Sequence, residues 1–206
     1  MHSKVSAYVQ LLASWPGLVS GPPQPLVEDS LALLDHLGDA RSLVDVGSGG
    51  GMPGLPLKIA RTELEVTLLE ADRRKAAFLV HAAAELGLAV EVVTGRAEEA
   101  GRGPLRERFD VAVCRALAPM PVLAELCLPL VRVGGRLLAM KTQVEEASHA
   151  IAALGGGEPA VIRAPTAARQ RGVIVVVPKL SPTPKEYPRR PGVPSKRPLG
   201  RPAERA

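Results

Sequence analysis

Aromatic side chains are scarce in this chain. Its 206 residues include two Phe, two Tyr and one Trp, so aromatics make up 2% of a sequence that is 46% hydrophobic. A core built from this composition consists mainly of Leu, Val and Ala, and few rings are available to stack on nucleic-acid bases. The apolar share is sufficient for one buried core, and the length fits a single domain with a modest extension.

Cysteine and long apolar runs are scarce as well. Cys114 and Cys127 have no CxxC spacing and no neighbouring His pair, which argues against a zinc site or a disulfide and indicates reduced thiols. No stretch approaches the roughly 18 apolar residues of a membrane span, and the start lacks the apolar centre of a secretion signal. We therefore predict a cytoplasmic protein with no metal and no membrane partner, and we expect a monomer.

Positive charge is concentrated near the C-terminus. Residues 178–206 carry eight Lys or Arg, two Glu and eight prolines, a net charge of +6, whereas the preceding 177 residues carry a net charge of −1. A basic, proline-rich arm binds polyanions by releasing their counterions, so it predicts contact with nucleic acid. A solubilising terminus is the alternative. We divide the chain into an N-terminal helical segment (1–40), a body (41–178) and a tail (179–206).

The most informative segment is LVDVGSGGGMPG at residues 43–54. Its apolar start predicts a strand that ends near Asp45, and the glycines that follow leave no side chain in the way of a ligand. We therefore expect the backbone of Gly47, Gly49 and Gly51 to approach a cofactor. Parallel α/β sheets hold nucleotide-like cofactors at strand ends of this kind.

Apolar segments alternate with helical patterns along the chain, which predicts a parallel sheet with helices on both faces. The predicted strands are residues 43–46, 65–70, 89–93, 109–113, 135–141, 160–163 and 173–177. The predicted helices are residues 3–14, 27–37, 55–61, 72–86, 121–129 and 144–154, with a loop at 15–25. Only a loop separates the last two strands, so we expect them to pair antiparallel at one edge. The predicted fold class is α/β, with a mostly parallel seven-stranded sheet.

The glycine pattern favours a cofactor without phosphates. A GxGxxG match exists, formed by Gly49, Gly51 and Gly54. A dinucleotide loop, however, counts from the first glycine after the strand, which is Gly47, and its third glycine then falls on Met52. A proline also stands where the helix should donate N–H groups to a pyrophosphate. We therefore predict S-adenosylmethionine as the cofactor, with a nicotinamide as the weaker alternative.

Two acidic residues follow the next strands of the predicted sheet. Glu70 ends the second strand, 25 residues after Asp45, where a carboxylate can bind the ribose diol of a nucleoside cofactor. Glu98 follows the third strand, in the loop that passes the adenine in this kind of fold. The alternatives are an exposed acid at a strand end for Glu70 and a helix-start acid for Glu98.

Several motifs follow one another in a fixed order. They are DVGSGGGMPGLPLKI from residue 45, LLEADRRKAAFL from residue 68, GRAEE from residue 95, CRA at 114–116, AMK at 139–141 and YPRRPGVPSKRPL from residue 187. Together they resemble the bacterial small-subunit ribosomal RNA guanine-N7 methyltransferases, the glucose-inhibited division protein B family. The resemblance covers about residues 29–199.

The resemblance implies a class I, Rossmann-like methyltransferase fold that uses S-adenosylmethionine, with the body of the chain as the methyltransferase domain. The implied partner is 16S ribosomal RNA or the small ribosomal subunit, methylated at N7 of the guanine at rRNA position 527 in the 530 loop. By motif, Gly47 and Met52 match the family's glycine-loop cofactor contacts. Ala97 and Glu98 match its adenine contacts, and Arg115 matches an arginine of its ligand site.

Methylation of guanine N7 needs no general base, because N7 carries an in-plane lone pair and no proton. A cation beside O6 and N7 can hold the base, as Arg and Lys do in base recognition. Arg115 and Lys141 end strands four and five, where open α/β sheets bind their ligands, and we predict both as catalytic. The alternatives are an ion pair between Arg115 and an acid such as Asp110, and a solvated strand end for Lys141.

The tail supplies the predicted RNA contacts. These are Arg189, Arg190, Lys196 and Arg197, each of which is otherwise a solvated charge. Contacts to phosphate position an RNA without specifying its sequence. We expect the target guanine to be exposed or flipped, with Tyr187 best placed to stack on a base.

The N-terminal segment departs from the family's pattern and is shorter. Members usually read W-N-x-x-x-N-L-T and then R-H-x-L-D-S, whereas Trp15 is followed here by PGLVSGPPQPLVEDSLAL. Pro25 and Leu26 replace the Arg-His pair, and only Asp29 and Ser30 remain of the second motif. The family pattern assigns this region to the substrate side, so two alternatives stay open. They are a class I methyltransferase with another substrate and a ribosome-assembly protein that binds the cofactor without turnover.

Overall fold

The computed structural model describes residues 2–200 as seven strands and eight α-helices. The strands are β1 Ser42–Val46, β2 Glu65–Glu70, β3 Glu91–Thr94, β4 Phe109–Arg115, β5 Val131–Lys141, β6 Ala160–Arg163 and β7 Val173–Pro178. The helices are α1 His2–Ser14, α2 Pro23–Ser30, α3 Gly54–Ala60, α4 Arg73–Glu85, α5 Ala97–Ala100, α6 Met120–Cys127, α7 Ser148–Ala153 and α8 Val193–Lys196. No helix within residues 2–200 combines the length and the apolarity needed to cross a membrane.

All seven strands form one sheet, in the order β3-β2-β1-β4-β5-β7-β6. The pairs β1–β2, β1–β4, β2–β3 and β4–β5 are parallel, whereas β7 pairs antiparallel with both β5 and β6. The predicted α/β fold, its mostly parallel sheet and the antiparallel pairing of the last two strands are confirmed. The strand order reverses direction between β1 and β4, and a crevice opens at the carboxyl ends of strands at such a point.

Helices cover both faces of the sheet, and each face has its own apolar cluster. Helices α1 to α4 pack on one face, whose cluster includes Leu43, Leu68 and Phe78. Helices α6 and α7 pack on the other, whose cluster includes Val44 and Leu123. Successive residues of β1 therefore point into opposite clusters, which explains why both kinds of position in this strand are apolar.

The N-terminal elements differ from the prediction. A single helix was predicted at 27–37, whereas α2 begins at Pro23, inside the predicted loop, and a 3-10 turn at Leu31–His36 follows it. Proline is tolerated in the first turn of a helix because its missing N–H would have no partner there. The prolines at residues 22–25 therefore start this helix, although such prolines in a sequence indicate a loop.

Further along the chain, the other differences are shifts of element ends and two short additions. β5 begins at Val131, four residues before the predicted strand, and α7 begins at Ser148, four residues after the predicted helix. Helices α5 and α8 have four residues each and were not predicted. Elements this short carry no recognisable helical period in the sequence.

The C-terminal tail folds back against the body. Arg102 and Arg106 donate five side-chain hydrogen bonds to backbone carbonyls within residues 183–188. Lys179, at the base of the tail, is fully buried and donates to the carbonyl of Leu128 (2.8 Å), and its burial lowers the pKa to about 8. The division at residues 40 and 178 stays a prediction, and 201–206 lie outside the described residues.

Candidate active site at the carboxyl ends of the strands

The loop after β1 is built on left-handed glycines. Gly47, Gly49 and Gly51 have φ values of +70°, +56° and +93°, which residues with a side chain rarely adopt. The N–H of Gly47 donates to the carbonyl of Leu69 (2.8 Å) and ties the loop to the end of β2. A Cβ on Gly47 would lie 2.5 Å from Cδ1 of Leu117, so a side chain there would require Leu117 to move.

Asp45 braces this loop from inside the protein. Its side chain is fully buried, and Oδ2 accepts the N–H of Gly54 (2.9 Å) at the start of α3. Oδ1 has no hydrogen-bond partner among residues 2–200. Burial raises the pKa of Asp45 from 3.8 to about 7, against the lowering effects of the Gly54 hydrogen bond and of Arg115. Asp45 therefore positions the glycine loop.

A cavity of about 260 Å³ opens beside the loop, in the crevice between β1 and β4. Six of the predicted site residues line it: Gly47, Gly49, Glu70, Ala97, Glu98 and Arg115. Lys75, Arg96 and Leu117 line it too and were not predicted. Their only signal in the sequence is that each follows a strand end by a few residues.

Glu70 closes β2 and is 8% exposed, which contradicts the alternative of an exposed acid. Its Oε2 accepts the N–H of Gly49 (2.8 Å), and its Oε1 accepts the N–H of Asp72 (2.8 Å). An ionised carboxylate has about four acceptor positions, so each oxygen keeps one for a ligand. Glu70 can therefore accept hydrogen bonds from two neighbouring hydroxyl groups.

Glu98, in α5, is 1% exposed. Its Oε1 accepts the N–H of Gly192 (2.9 Å) and pairs with Arg96 (3.1 Å), whereas Oε2 has no partner in the described part of the chain. Burial by itself raises the pKa of Glu98, but the hydrogen bonds from Gly192 and Arg96 outweigh it, and the net effect lowers the pKa. Glu98 is thus an ionised acceptor whose second carboxylate oxygen is buried and makes no hydrogen bond within the described residues.

A second pocket, of about 180 Å³, adjoins the cavity at the ends of β4 and β5. The two share Arg115 and Ala116, and Lys141 and Arg169 add two cations to the wall of the second pocket. The Lys141 side chain is 12% exposed, and its Nζ lies 3.1 Å from a carboxylate oxygen of Glu145. The alternative of a solvated strand end at Lys141 is therefore wrong.

Arg115 is held between the N-terminal segment and the glycine loop. Its Nη1 donates to the carbonyl of Leu26 (3.0 Å), and its Nη2 lies 3.5 Å from Sδ of Met52. Burial lowers the pKa of Arg115, but a guanidinium in a protein stays charged. Asp110, the alternative partner, pairs with Arg132 instead (2.6 Å).

Arg169 was not predicted as a site residue. Its Nε pairs with the buried Asp29 (2.8 Å), and its Nη1 donates to the carbonyls of Lys141 (2.8 Å) and Val173 (3.0 Å). Nη2 has no partner among the described side chains and backbone. Arg169 thus joins α2 to the second pocket. Asp29 and Arg169 are 140 residues apart, and no local pattern in the sequence connects them.

Gly51 and Met52 lie under the loop. A Cβ on Gly51 would be 2.5 Å from Cδ1 of Leu55, and Met52 is 4% exposed. Both therefore shape the loop from its buried side, and a direct contact of either residue with the cofactor stays a prediction.

The four predicted RNA contacts of the tail fall into two groups. The Arg189 guanidinium is engaged by the fully buried carboxylate of Glu125 through Nε (2.9 Å) and Nη2 (2.5 Å). Arg190, Lys196 and Arg197 are exposed. Arg189 therefore anchors the tail, and the RNA contacts of all four residues stay predictions.

The family model described as rRNA small subunit methyltransferase G matches residues 1–153 of the chain. The chain belongs to this family. A ribosomal RNA small subunit methyltransferase G of Moorella thermoacetica is 48% identical over 168 residues, covering 78% of this chain and 70% of that protein. One of Staphylococcus epidermidis is 45% identical over 166 residues, covering 77% and 69%. The resemblance seen in the sequence motifs is confirmed.

Solved structures similar to this methyltransferase G family member support the same fold. An O-methyltransferase from Bacillus cereus in complex with SAH has a TM-score of 0.61 at 22% identity, covering 86% of this chain and 91% of that chain. A 16S rRNA N2 G1207 methyltransferase from T. Thermophilus, in complex with AdoMet and guanosine, has a TM-score of 0.53 at 19% identity, covering 78% and 40%. The class I methyltransferase fold is thereby confirmed.

Proposed function

We propose that this protein transfers a methyl group from S-adenosylmethionine to N7 of the guanine at rRNA position 527, in the 530 loop of 16S ribosomal RNA. Membership of the methyltransferase G family supports small-subunit ribosomal RNA as the substrate. The observation that carries the proposal is that Arg115 lines both the cavity beside the glycine loop and the adjoining cation-lined pocket. A cofactor in the cavity and a base in the pocket would meet at this side chain.

The residues of the cavity fit S-adenosylmethionine. The acceptor positions left on Glu70 suit a ribose diol, and the unpartnered Oε2 of Glu98 suits the adenine amino group. The left-handed backbone at Gly47 and Gly49 leaves room for the amino-acid portion. When bound, this cofactor supplies a methyl group on a sulfonium centre, which an unprotonated nitrogen can attack.

The chain itself has to bind and orient the guanine. Arg115, Lys141 and Arg169 line the pocket proposed for the base, where a cation beside O6 holds the ring in place. N7 carries no proton, so no side chain has to act as a general base. Catalysis then depends on holding the two reactants in the right geometry, which can supply a large part of a rate enhancement.

The tail contributes cations for the RNA backbone. Arg190, Lys196 and Arg197 are exposed and lie on either side of Gly192, whose N–H contacts the cavity residue Glu98. Phosphate contacts at these positions would hold the RNA near the site without reading its sequence.

The protein acts as a monomer in the cytoplasm under this proposal. The two cysteines are buried and form no disulfide within the described residues, which suits a reducing compartment. Light scattering on the purified chain tests the monomer, because a dimer would double the mass of 21.6 kDa.

Complementation tests the function. The chain is expressed in a bacterium that lacks its own 530-loop methyltransferase, and N7-methylguanine is detected by borohydride and aniline cleavage of the 16S RNA. We expect the intact chain and the control Arg163→Ala to restore cleavage, since Arg163 is an exposed residue of β6. Arg115→Ala is expected to restore none. A missing methyl group with the intact chain contradicts the proposal.

A second candidate is an assembly protein that binds the cofactor without turnover. It is favoured by the N-terminal segment, where Pro25 and Leu26 stand in place of the family's Arg-His pair and Leu26 offers Arg115 only a backbone carbonyl. In the complementation experiment this candidate predicts binding of S-adenosylmethionine by the purified chain and no methyl group on the RNA.

A further inference from the structure

We infer that the C-terminal tail supports the cofactor cavity. The backbone N–H of Gly192 holds the Glu98 carboxylate in the orientation in which it binds the adenine ring. The inference rests on the proposed function, which gives Glu98 the adenine amino group as its ligand. It adds a positioning residue, Gly192, which lies 94 residues from Glu98 in the sequence.

The first step of the argument is the environment of Glu98. Its carboxylate is 1% exposed, and Oε1 receives the Gly192 N–H at 2.9 Å while Oε2 has no partner within residues 2–200. The second donor to Oε1 is Arg96, whose side chain is 49% exposed and therefore a weaker constraint. The Gly192 N–H is thus the backbone donor that fixes the orientation of Glu98, and with it the direction of Oε2.

The second step is that the tail is clamped at this point. Arg189, three residues before Gly192, forms a two-pronged pair with the fully buried Glu125 of α6, and its backbone N–H donates to the same carboxylate (2.8 Å). Charge-assisted pairs with this geometry are among the stronger contacts in proteins. Gly192 itself has a φ of +80°, so the backbone turns there in a way that glycine favours.

The third step is that the same stretch carries the exposed cations of the tail. Arg190, Lys196 and Arg197 lie within five residues of Gly192. An RNA that holds this stretch in place also holds the Gly192 N–H against Glu98. Coupling between two ligands is reciprocal, so the cofactor must in turn hold the tail.

The test compares two ligands whose purine rings differ at position 6, an amino group against a carbonyl oxygen, and at N1, which carries a proton only in the hypoxanthine ring. S-adenosylhomocysteine carries the amino group, whereas S-inosylhomocysteine carries a carbonyl oxygen that faces the Glu98 carboxylate unfavourably. Binding of both is measured by calorimetry without RNA. We expect the intact chain to prefer S-adenosylhomocysteine by roughly tenfold or more, the size of one hydrogen bond to a charged group.

The variant that probes the tail is Arg189→Ala, because Arg189 anchors the tail and does not line the cavity. We expect it to lose the preference, so that the two ligands bind alike. Lys185→Ala, an exposed tail residue, is the matched control and keeps the preference. Equal weakening of both ligands in Arg189→Ala, with the preference intact, overturns the inference, because it is what a purely structural role predicts.

The outcome for the intact chain separates this inference from the proposed function. If the intact chain binds both ligands equally, Glu98 does not read the adenine and the inference fails, while methylation of the 530 loop is decided independently by complementation. If the intact chain discriminates and Arg189→Ala discriminates equally, the inference fails as well, because the tail is then not needed to position Glu98, while the contact between Glu98 and the adenine stands.

Hydrogen exchange on the intact chain gives a measurement that needs no variant. We expect S-adenosylhomocysteine to slow amide exchange within residues 189–197 by about tenfold, the usual size of such coupling. Residues 160–163, in the edge strand β6, serve as the internal control and exchange at the same rate with and without ligand. Unchanged exchange in 189–197 at saturating ligand overturns the inference.

Discussion

Arg115 donates its Nη1 to the backbone carbonyl of Leu26 at 3.0 Å. The acceptor belongs to the N-terminal segment in which the sequence departs most from the family's pattern. Every residue type has a backbone carbonyl, so this contact does not depend on the side chain at position 26. The absence of the Arg-His pair therefore leaves Arg115 anchored, and α2 still contacts two residues that line the second pocket, Arg115 through Leu26 and Arg169 through Asp29.

Arg115→Ala is expected to lower methylation of small subunits at least about a hundredfold, the cost of removing one well-placed donor from an active site. The expectation follows from the position of Arg115 in the walls of both pockets. Transfer of a radioactive methyl group to unmethylated small subunits measures it. Arg163→Ala is the control. Undiminished turnover in Arg115→Ala would contradict the predicted role of Arg115 in the active site.

Glu70→Gln is expected to weaken cofactor binding about tenfold, because an amide replaces one acceptor oxygen with a donor. The substitution also disturbs the N–H of Gly49 or of Asp72, each of which donates to one carboxylate oxygen at 2.8 Å. Calorimetry with S-adenosylhomocysteine measures the change. Glu65→Gln, at the exposed start of β2, is the matched control, and similar affinity in the two variants speaks against a role for Glu70.

Local sequence patterns predicted the sheet well because its strands are apolar. The short connections between strands and helices also allow few arrangements of the strands in the sheet. Residues 43–46 were predicted as a strand ending at a glycine loop, and β1 Ser42–Val46 ends there. The same pattern predicted the residues of the cavity, since the carboxyl ends of parallel strands share one edge. Glu70 and Glu98 both line the cavity for that reason.

Contacts between distant segments were not predictable. Nothing in the sequence around Asp29 indicates its pair with Arg169, and nothing around Glu98 indicates Gly192. The basic tail was predicted as an arm from its charge and prolines alone. The tail packs against the body through side chains that donate to backbone carbonyls, such as Arg106 to Tyr187 (2.7 Å). Every residue has a backbone carbonyl, so the sequence does not indicate which of them accepts such a hydrogen bond.

Gly47→Ala is expected to abolish measurable cofactor binding, whereas Gly87→Ala is expected to leave it intact. Both glycines have positive φ, +70° and +56°, so each substitution costs about 1–2 kcal/mol of backbone strain. A Cβ at Gly47 also meets Cδ1 of Leu117 at 2.5 Å, whereas a Cβ at Gly87 meets nothing within 4 Å. Thermal unfolding of both variants measures the cost of the backbone strain, and calorimetry measures the loss of cofactor binding. Unchanged cofactor binding by Gly47→Ala contradicts a close approach of the cofactor to the backbone of Gly47.

Asp45→Asn is expected to stabilise the protein progressively more, relative to the intact chain, as the pH rises from 4 to 7. Below the ordinary pKa of 3.8 the carboxyl is protonated in both states, and between 3.8 and about 7 only the unfolded chain loses the proton. The free energy of unfolding therefore falls over this range, by up to about 1.4 kcal/mol per pH unit, and the decrease is complete above pH 7. Asparagine cannot ionise and keeps an oxygen for the Gly54 N–H.

Urea unfolding at several pH values measures the difference between the two proteins. Asp39→Asn, at an exposed position, is the control and is expected to follow the intact chain. A constant difference between Asp45→Asn and the intact chain across the range would show that Asp45 ionises alike in the folded and unfolded states.

Replacement of Arg190, Lys196 and Arg197 by alanine is expected to weaken RNA binding alike for different sequences and to flatten its dependence on salt. Each phosphate of a single strand that the protein no longer neutralises lowers the slope of log affinity against log salt by about 0.7, so three such phosphates lower it by about 2. All three side chains are exposed, so their removal leaves the fold unchanged. Filter binding of a 530-loop RNA fragment at several salt concentrations measures the slope, with Arg163→Ala as the control. A slope equal to that of the intact chain would mean that these cations stay in solvent when RNA binds, and residues 1–177 would then have to supply the whole electrostatic attraction despite their net charge of −1.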